Sequence, residues 1–137
     1  MKTKFSYDYD LLLQEYQLPQ DIHEANSVVL NDAYRAALQQ TAKISITDHQ
    51  GIILYVNDKF CEISEYRVDE LIGNTHRILS SGYHPKSFFS EMWHTIQAGQ
   101  IWNGEICNKS KNGHYYWVDT VIVPFRNNYA TQYKYLQ

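Results

Sequence analysis

The pattern of apolar residues predicts an α+β domain: a five-stranded antiparallel sheet with helices on one face, preceded by a further N-terminal helix. Three observations predict it. Ile44-Ser45-Ile46-Thr47-Asp48 alternates as a strand does, and residues 52–56 repeat the pattern after the turn His49-Gln50-Gly51. Residues 57–99 then carry apolar positions at helical spacing, punctuated by Gly73, Pro85 and Gly99. Alternation returns beyond residue 101 and turns around Asn112-Gly113.

Each element follows in order. Residues 1–20 are polar and tyrosine-rich, with a short helix around 10–17 and Pro19 closing the stretch. Ile22, Ala25, Val28, Val29, Ala33, Ala36 and Ala37 then form one apolar stripe on a helix ending near Gln40. That stripe either joins two copies of the chain or packs on its own domain. Residues 1–41 are therefore assigned to an N-terminal extension and cap helix, and 42–137 to the main domain.

Within that domain Asn57 is placed to cap a short helix that turns Phe60, Ile63 and Ser64 inward. Residues 67–73 make a second helix stopped by Gly73. A loop over 74–84 has Ile78 and Leu79 at its centre. Pro85 opens a longer helix with Phe88, Phe89, Met92, Trp93 and Ile96 on its apolar face. Strands at about 101–110, 114–125 and 131–137 complete the order β-β-α-α-α-β-β-β.

Composition narrows the function classes. The 137 residues suit one domain with a core, and the 20% charged fraction is that of an ordinary folded protein. With a net charge of −3 and no basic run, no nucleic-acid surface is expected. Neither a secretory leader nor an apolar stretch of spanning length is visible, so a cytoplasmic location without membrane insertion is expected. Cys61 and Cys107 lack Cys-x-x-Cys spacing and read as free thiols of a reducing compartment. His-Glu-x-x-His, paired metal-ligand spacing and a glycine-rich phosphate loop are all missing, and no enzymatic constellation is read.

Taken together, Ile46-Thr47-Asp48, Gly51-Ile52-Ile53, Tyr55-Val56-Asn57, Phe60, Tyr66, Glu70-Leu71-Ile72-Gly73, Trp102-x-Gly104, Asn108, Lys111-Asn112-Gly113, Tyr116-Trp117 and Val123-Pro124 resemble a PAS domain. The likeness covers about residues 42–137. Its nearest subgroup is the bacterial flavin-type sensors of redox state for aerotaxis and nitrogen-fixation control. The resemblance implies a sensory input domain, a fragment of a longer signalling protein, acting on a histidine kinase, diguanylate cyclase or chemotaxis module downstream. It implies FAD as cofactor, with FMN, haem or none as alternatives, while the apolar stripe of the N-terminal helix points to a homodimer through that helix. The rival reading is a ligand-free PAS module serving dimerisation or protein–protein interaction.

The resemblance also marks site residues. Asn108 falls where light-sensing relatives contact the flavin's pyrimidine edge, and a carboxamide supplies both the donor and the acceptor that edge needs. Alternation puts Trp102, Gly104, Ile106 and Asn108 on one strand face. An inward amide left unpaired costs about 1–3 kcal/mol, so Asn108 binds either a ligand or a neighbouring loop. A two-residue turn at Asn112-Gly113 sets Asn108 opposite Trp117, and a three-residue loop sets it opposite Val118. The likeness favours the latter, with Tyr116, Val118, Thr120 and Ile122 inward. His76 stands where light sensors carry a photoreactive cysteine, Arg77 where a guanidinium meets the cofactor phosphate, and Leu79 beside them in the same loop. Trp102 either stacks on the ring or belongs to the core. For haem, the available axial ligands are His76, His84 and His94.

Overall fold

The computed structural model describes residues 32–33, 35–126 and 132–137. The helix expected near 10–17 and the stripe positions Ile22, Ala25, Val28 and Val29 lie outside them. The N-terminal helix runs through 35–41. Strands β1 (Ser45–Thr47) and β2 (Ile53–Val56) follow it, then helices α1 (Asp58–Ser64) and α2 (Val68–Leu71). A 3₁₀ turn (His76–Leu79), helix α3 (Lys86–Gln97) and strands β3 (Trp102–Lys109), β4 (Tyr115–Phe125) and β5 (Lys134–Leu136) complete the chain. The strands form one antiparallel sheet in the order β2-β1-β5-β4-β3.

Strand register decides which side chains face the helices. Thr47 pairs with Tyr135, and Ile46 with Leu136. Tyr135 packs with Met92 and Ile96 of α3, so Thr47 and Ser45 share its inward face. Ile46 instead joins Ile44 and Tyr55 in a cluster on the opposite face, where Gln39 of the N-terminal helix donates to the Tyr55 hydroxyl at 2.8 Å. Between β1 and β2 the register shifts, because Ile46 faces Tyr55 while Thr47 faces Ile53. This bulge absorbs Leu54 and turns both Ile53 and Val56 inward, onto Phe60, Leu71 and Leu79. The helix-covered face therefore holds two apolar clusters: this one at β2, and Met92, Ile96, Trp102, Ile106, Ile122 and Tyr135 at the other end.

Both edges of the sheet are covered, which removes open ladders that would pair with other chains. Ile53 N donates to Asn74 O at 2.8 Å and Gly73 N to Ile53 O at 3.0 Å. Gly73 makes this return with φ +87°, a conformation that side-chain-bearing residues seldom hold. On the far edge the loop after the 3₁₀ turn lies along β3. There Cys107 N donates to His84 Nε2 at 2.9 Å, and Ser81 Oγ donates to Cys107 O at 2.6 Å.

Asn57 organises the opposite corner. Its carbonyl oxygen accepts from Phe60 N at 3.0 Å, capping α1, and from Ile44 N at 2.9 Å. Its amide nitrogen donates to Ala42 O at 2.7 Å. With no exposed surface, this side chain cannot hand those groups to water. Asn57→Ala is therefore expected to cost about 2–4 kcal/mol, as a lost cap plus unpaired buried backbone groups. Urea unfolding checks it, and a change below about 0.5 kcal/mol would show that the network is dispensable.

Candidate functional site: the inward face of the sheet

The β3–β4 hairpin brings the site together. Ser110 and His114 close a three-residue loop, Lys111-Asn112-Gly113, with Ser110 N donating to His114 O at 2.8 Å. This pairs Asn108 with Tyr116, and neither Trp117 nor Val118 stands opposite it. The register expected from the sequence is corrected here. The loop begins at Lys111, one residue before the Asn-Gly step, because Gly113 supplies the left-handed position at φ +90° as its last member. The inward set of Tyr116, Val118, Thr120 and Ile122 nevertheless holds, since these residues pair with Asn108, Ile106, Gly104 and Trp102.

The hairpin tip is clamped to the helices. Lys111 N donates to Ser64 O at 3.0 Å, and Lys111 Nζ meets the Glu70 carboxylate at 2.7 Å. Glu65, left-handed at φ +64° just after α1, lies 3.4 Å from His114 Nδ1. Hydrogen bonding to Ser110, then to Asn112, with the His114 charge adding to it, holds the Glu65 carboxyl below its usual range. The clamp places Asn108 and Tyr116 beneath the chain after α1, where the Tyr66 hydroxyl donates to Ile78 O at 3.4 Å.

Asn108 is buried, and its backbone bridges to Ser80. Its amide lies beside the Tyr116 hydroxyl, close enough to favour the phenolate slightly, but without the alignment of a hydrogen bond. The Tyr116 hydroxyl is thus buried with no partner, and burial pushes its pKa up to about 12. A buried hydroxyl without a partner, beside a buried carboxamide, places an unfilled hydrogen-bonding group on this face.

His76 is a second polar group on this face. It belongs to the 3₁₀ turn started by Thr75, whose hydroxyl accepts from Arg77 N at 3.3 Å. The His76 Nε2 lies 3.1 Å from Ser45 Oγ, and its ring meets Phe60 edge-on at 5.8 Å. The residue keeps some surface while its ring points inward. Burial, with the Lys43 charge as the smaller cause, lowers its pKa to about 3. Lys43 itself was not singled out in the sequence, although carrying the alternation one step back from Ser45 puts it on this face. Its ammonium sits 4.5 Å over the Phe60 ring and is buried without a hydrogen-bond partner.

The remaining expected residues are placed differently. Leu79 is fully buried with Ile53, Val56, Phe60 and Leu71. Trp102 sits in the core beside α3, edge-on to Phe88 at 5.5 Å. Its indole lies across Gly104, where a Cβ would fall 2.4 Å from the ring, so the Trp-x-Gly pair is a packing requirement. Arg77 is exposed and has no ion-pair partner among the described residues. His84 stacks on Phe88 at 4.0 Å with its Nε2 already accepting from Cys107, and His94 is exposed at the end of α3. Trp117 is 53% exposed, and Glu105 faces Asp119 on the outer side of the sheet. Cys61 and Cys107 are free, with the Cys61 thiol pushed up to about 11 by burial and the nearby Asp58 charge. No group of three or more His, Cys, Asp or Glu that could hold a metal occurs among the described residues. Nor is any described helix long and apolar enough to cross a membrane.

A single antiparallel sheet, edged by loops and covered on one face by helices, with buried polar groups that lack partners on that face, defines a domain of the α+β class. The family can be stated as well: the PAS fold family matches residues 53–136, and the chain belongs to it. It is 39% identical over 84 residues to the aerotaxis receptor of Escherichia coli (strain K12), covering 61% of this chain and 17% of that protein. It is 35% identical over 89 residues to a nitrogen fixation regulatory protein of Klebsiella pneumoniae, covering 65% of this chain and 18% of that one. The chain thus spans less than a fifth of the length of these two relatives. In fold it is similar to an RNA-binding light-oxygen-voltage receptor, with a TM-score of 0.70, 21% identity, and 88% of this chain and 35% of that one covered. It is also similar to the PAS domain of a Colwellia psychrerythraea protein, with a TM-score of 0.65, 24% identity, and 76% and 90% of the two chains covered.

The buried imidazole has a consequence for acid stability. His76 takes up a proton near pH 6.5 when unfolded, but only near pH 3 when folded. The unfolded state therefore binds more protons between those values. Stability is full above about pH 6.5 and falls as pH drops toward 3, by up to about 1.4 kcal/mol per pH unit. Urea unfolding at pH 7, 6, 5 and 4 should show a shallower decline for His76→Gln than for the parent. Identical slopes would mean that the ring protonates freely in the fold.

Proposed function

We propose that this domain is the sensory input module of a bacterial signalling protein and that its inward face binds a flavin, FAD in particular. The carrying observation is the buried, unpartnered Tyr116 hydroxyl beside the buried Asn108 amide. A flavin's pyrimidine edge alternates acceptors and donors, and this pair offers both. His76 and Leu79 of the 3₁₀ turn would line the chamber opposite the sheet, with Trp102 closing its far end. Arg77, exposed on the same turn, suits a phosphate reaching out of the chamber. Support also comes from the names of the similar proteins, an aerotaxis receptor and a nitrogen fixation regulatory protein.

When bound, the flavin supplies a reversible store of electrons whose filling alters hydrogen-bond demand at the ring edge. The protein's part is then mechanical. The Asn108 amide turns to match that demand, and its backbone carries the change to Ser80 along one edge and to Tyr116 across the hairpin. The outer face of β3 and β4 passes it to a downstream histidine kinase, diguanylate cyclase or chemotaxis module in the cytoplasm. FMN would use the same ring contacts. Haem is disfavoured because the His84 Nε2 is already engaged and the His76 Nε2 faces Ser45.

Protein purified in the dark and incubated with FAD should retain a yellow, flavin-type absorption spectrum after gel filtration. Asn108→Leu should lose it while keeping the far-ultraviolet circular dichroism of the parent. A colourless parent that also leaves FAD fluorescence unchanged on titration would refute the flavin assignment.

A second reading, dimerisation through the N-terminal helix, is favoured by one observation. Ala33, Ala36, Ala37 and Leu38 are all exposed, Leu38 by 46%. Sedimentation equilibrium should then show a dimer that Leu38→Glu weakens at least tenfold. A monomeric parent, or a variant with unchanged association, would exclude that surface.

A further inference from the structure

Lys43 is held on the inward face of the sheet. On one side of it Asn57 binds Ala42 O, and on the other Asn57 accepts from Ile44 N while Asn57 N donates to Ile44 O at 3.0 Å. The backbone on both flanks is fixed, so the side chain follows the inward direction of Ser45. A lysine near a surface ordinarily extends its stem and leaves the ammonium in water. This one ends over the Phe60 ring with its Nζ fully covered and unpartnered. Ring attraction offsets only part of the desolvation of an ammonium. No described carboxylate pairs with it, and burial alone accounts for its lowered pKa of about 8, which leaves it charged at neutral pH. The neighbouring His76 is neutral and supplies no counter-charge. A buried positive charge on a ligand-facing wall, expensive to the empty protein, is what a site built for a negative charge requires.

We propose that Lys43 is the anion-recognition residue of the inward face, its ammonium, seated over Phe60, receiving a negatively charged group of the bound small molecule. This rests on the ligand-chamber reading above and specifies the ligand's charge. Two sources share that chemistry. One is a flavin ring carrying the extra negative charge of its two-electron-reduced form; the other is a carboxylate or phosphate of a different metabolite. In either case Ser45 and His76 fix the neighbouring corner through their 3.1 Å contact. If the Ser45 hydroxyl donates, the neutral imidazole carries its proton on Nδ1.

The test compares the full chain with Lys43→Met, which keeps the stem and removes the charge, and with Lys43→Arg, which keeps the charge. Without ligand, Lys43→Met should melt at a higher temperature than the parent. A lower melting temperature would show that the ammonium already has a stabilising partner and would overturn the proposal. Affinities are then measured for oxidised FAD, for FAD reduced anaerobically with dithionite, for inorganic phosphate and for succinate. At least one anionic probe should bind the parent about tenfold more tightly than Lys43→Met, with Lys43→Arg close to the parent. If that probe is reduced FAD and the oxidised form is unaffected, the flavin midpoint potential of Lys43→Met falls by about 30 mV. FAD bound equally by parent and Lys43→Met in both redox states, without selectivity for phosphate or succinate, keeps the flavin assignment and overturns the role of Lys43. Selectivity for phosphate or succinate with no FAD binding does the reverse. Binding of none of the four probes overturns the role of Lys43.

Discussion

One buried carboxamide sets the frame on which everything else rests. Asn57 ties together the chain before β1, the end of β2 and the first turn of α1. Its two polar atoms meet three backbone groups of elements far apart in sequence, all sealed from water. Because those groups have no alternative partner, the corner has a single arrangement. From it follow the inward direction of Lys43 and Ser45, the position of Phe60 over them, and the space that His76 fills from the other side.

The second fixed point is the hairpin tip. Lys111 bridges to α1 through its backbone and to α2 through its ammonium, and Glu65 meets the loop from the left-handed residue that ends α1. Each surface ion pair here adds little stability by itself. Their combined effect is positional, since they fix where β3 and β4 end and so where Asn108 and Tyr116 sit relative to Tyr66 and the 3₁₀ turn. The inward face is thus held between two polar corners, with the apolar clusters at β2 and α3 packed between the sheet and the helices. On that face the Tyr116 hydroxyl and the Lys43 ammonium are buried without partners.

Much of this architecture was legible in the sequence, because periodicity and punctuation report on local backbone. Pro85, Gly73 and Gly99 bound their helices as expected, and the strands fall where alternation begins and ends. The capping role of Asn57 could also be read, but not its grip on Ala42 and Ile44, which depends on contacts across the fold. The hairpin register was misplaced because an Asn-Gly step suggests a turn centred on itself, whereas the pairing closes at Ser110 and His114. Trp102 and Gly104 carried a recognisable motif, but only packing shows the indole occupying the room that a side chain at residue 104 would need. Lys43 was overlooked for a physical reason. Alternation points it inward, but a lone lysine at the start of a strand ordinarily extends its ammonium into water, and only the packing over Phe60 shows that this one does not.

The central claim is that the inward face of the sheet is a flavin chamber whose unpaired polar groups await the ring edge. A crystal structure of the protein grown with FAD tests it most directly. The account predicts an isoalloxazine on the inward face of the sheet, with the Asn108 amide and the Tyr116 hydroxyl within hydrogen-bond distance of its pyrimidine edge. A structure obtained under saturating FAD that shows Tyr116 and Lys43 bound to water or to each other's neighbours, and no ring between them, would contradict it.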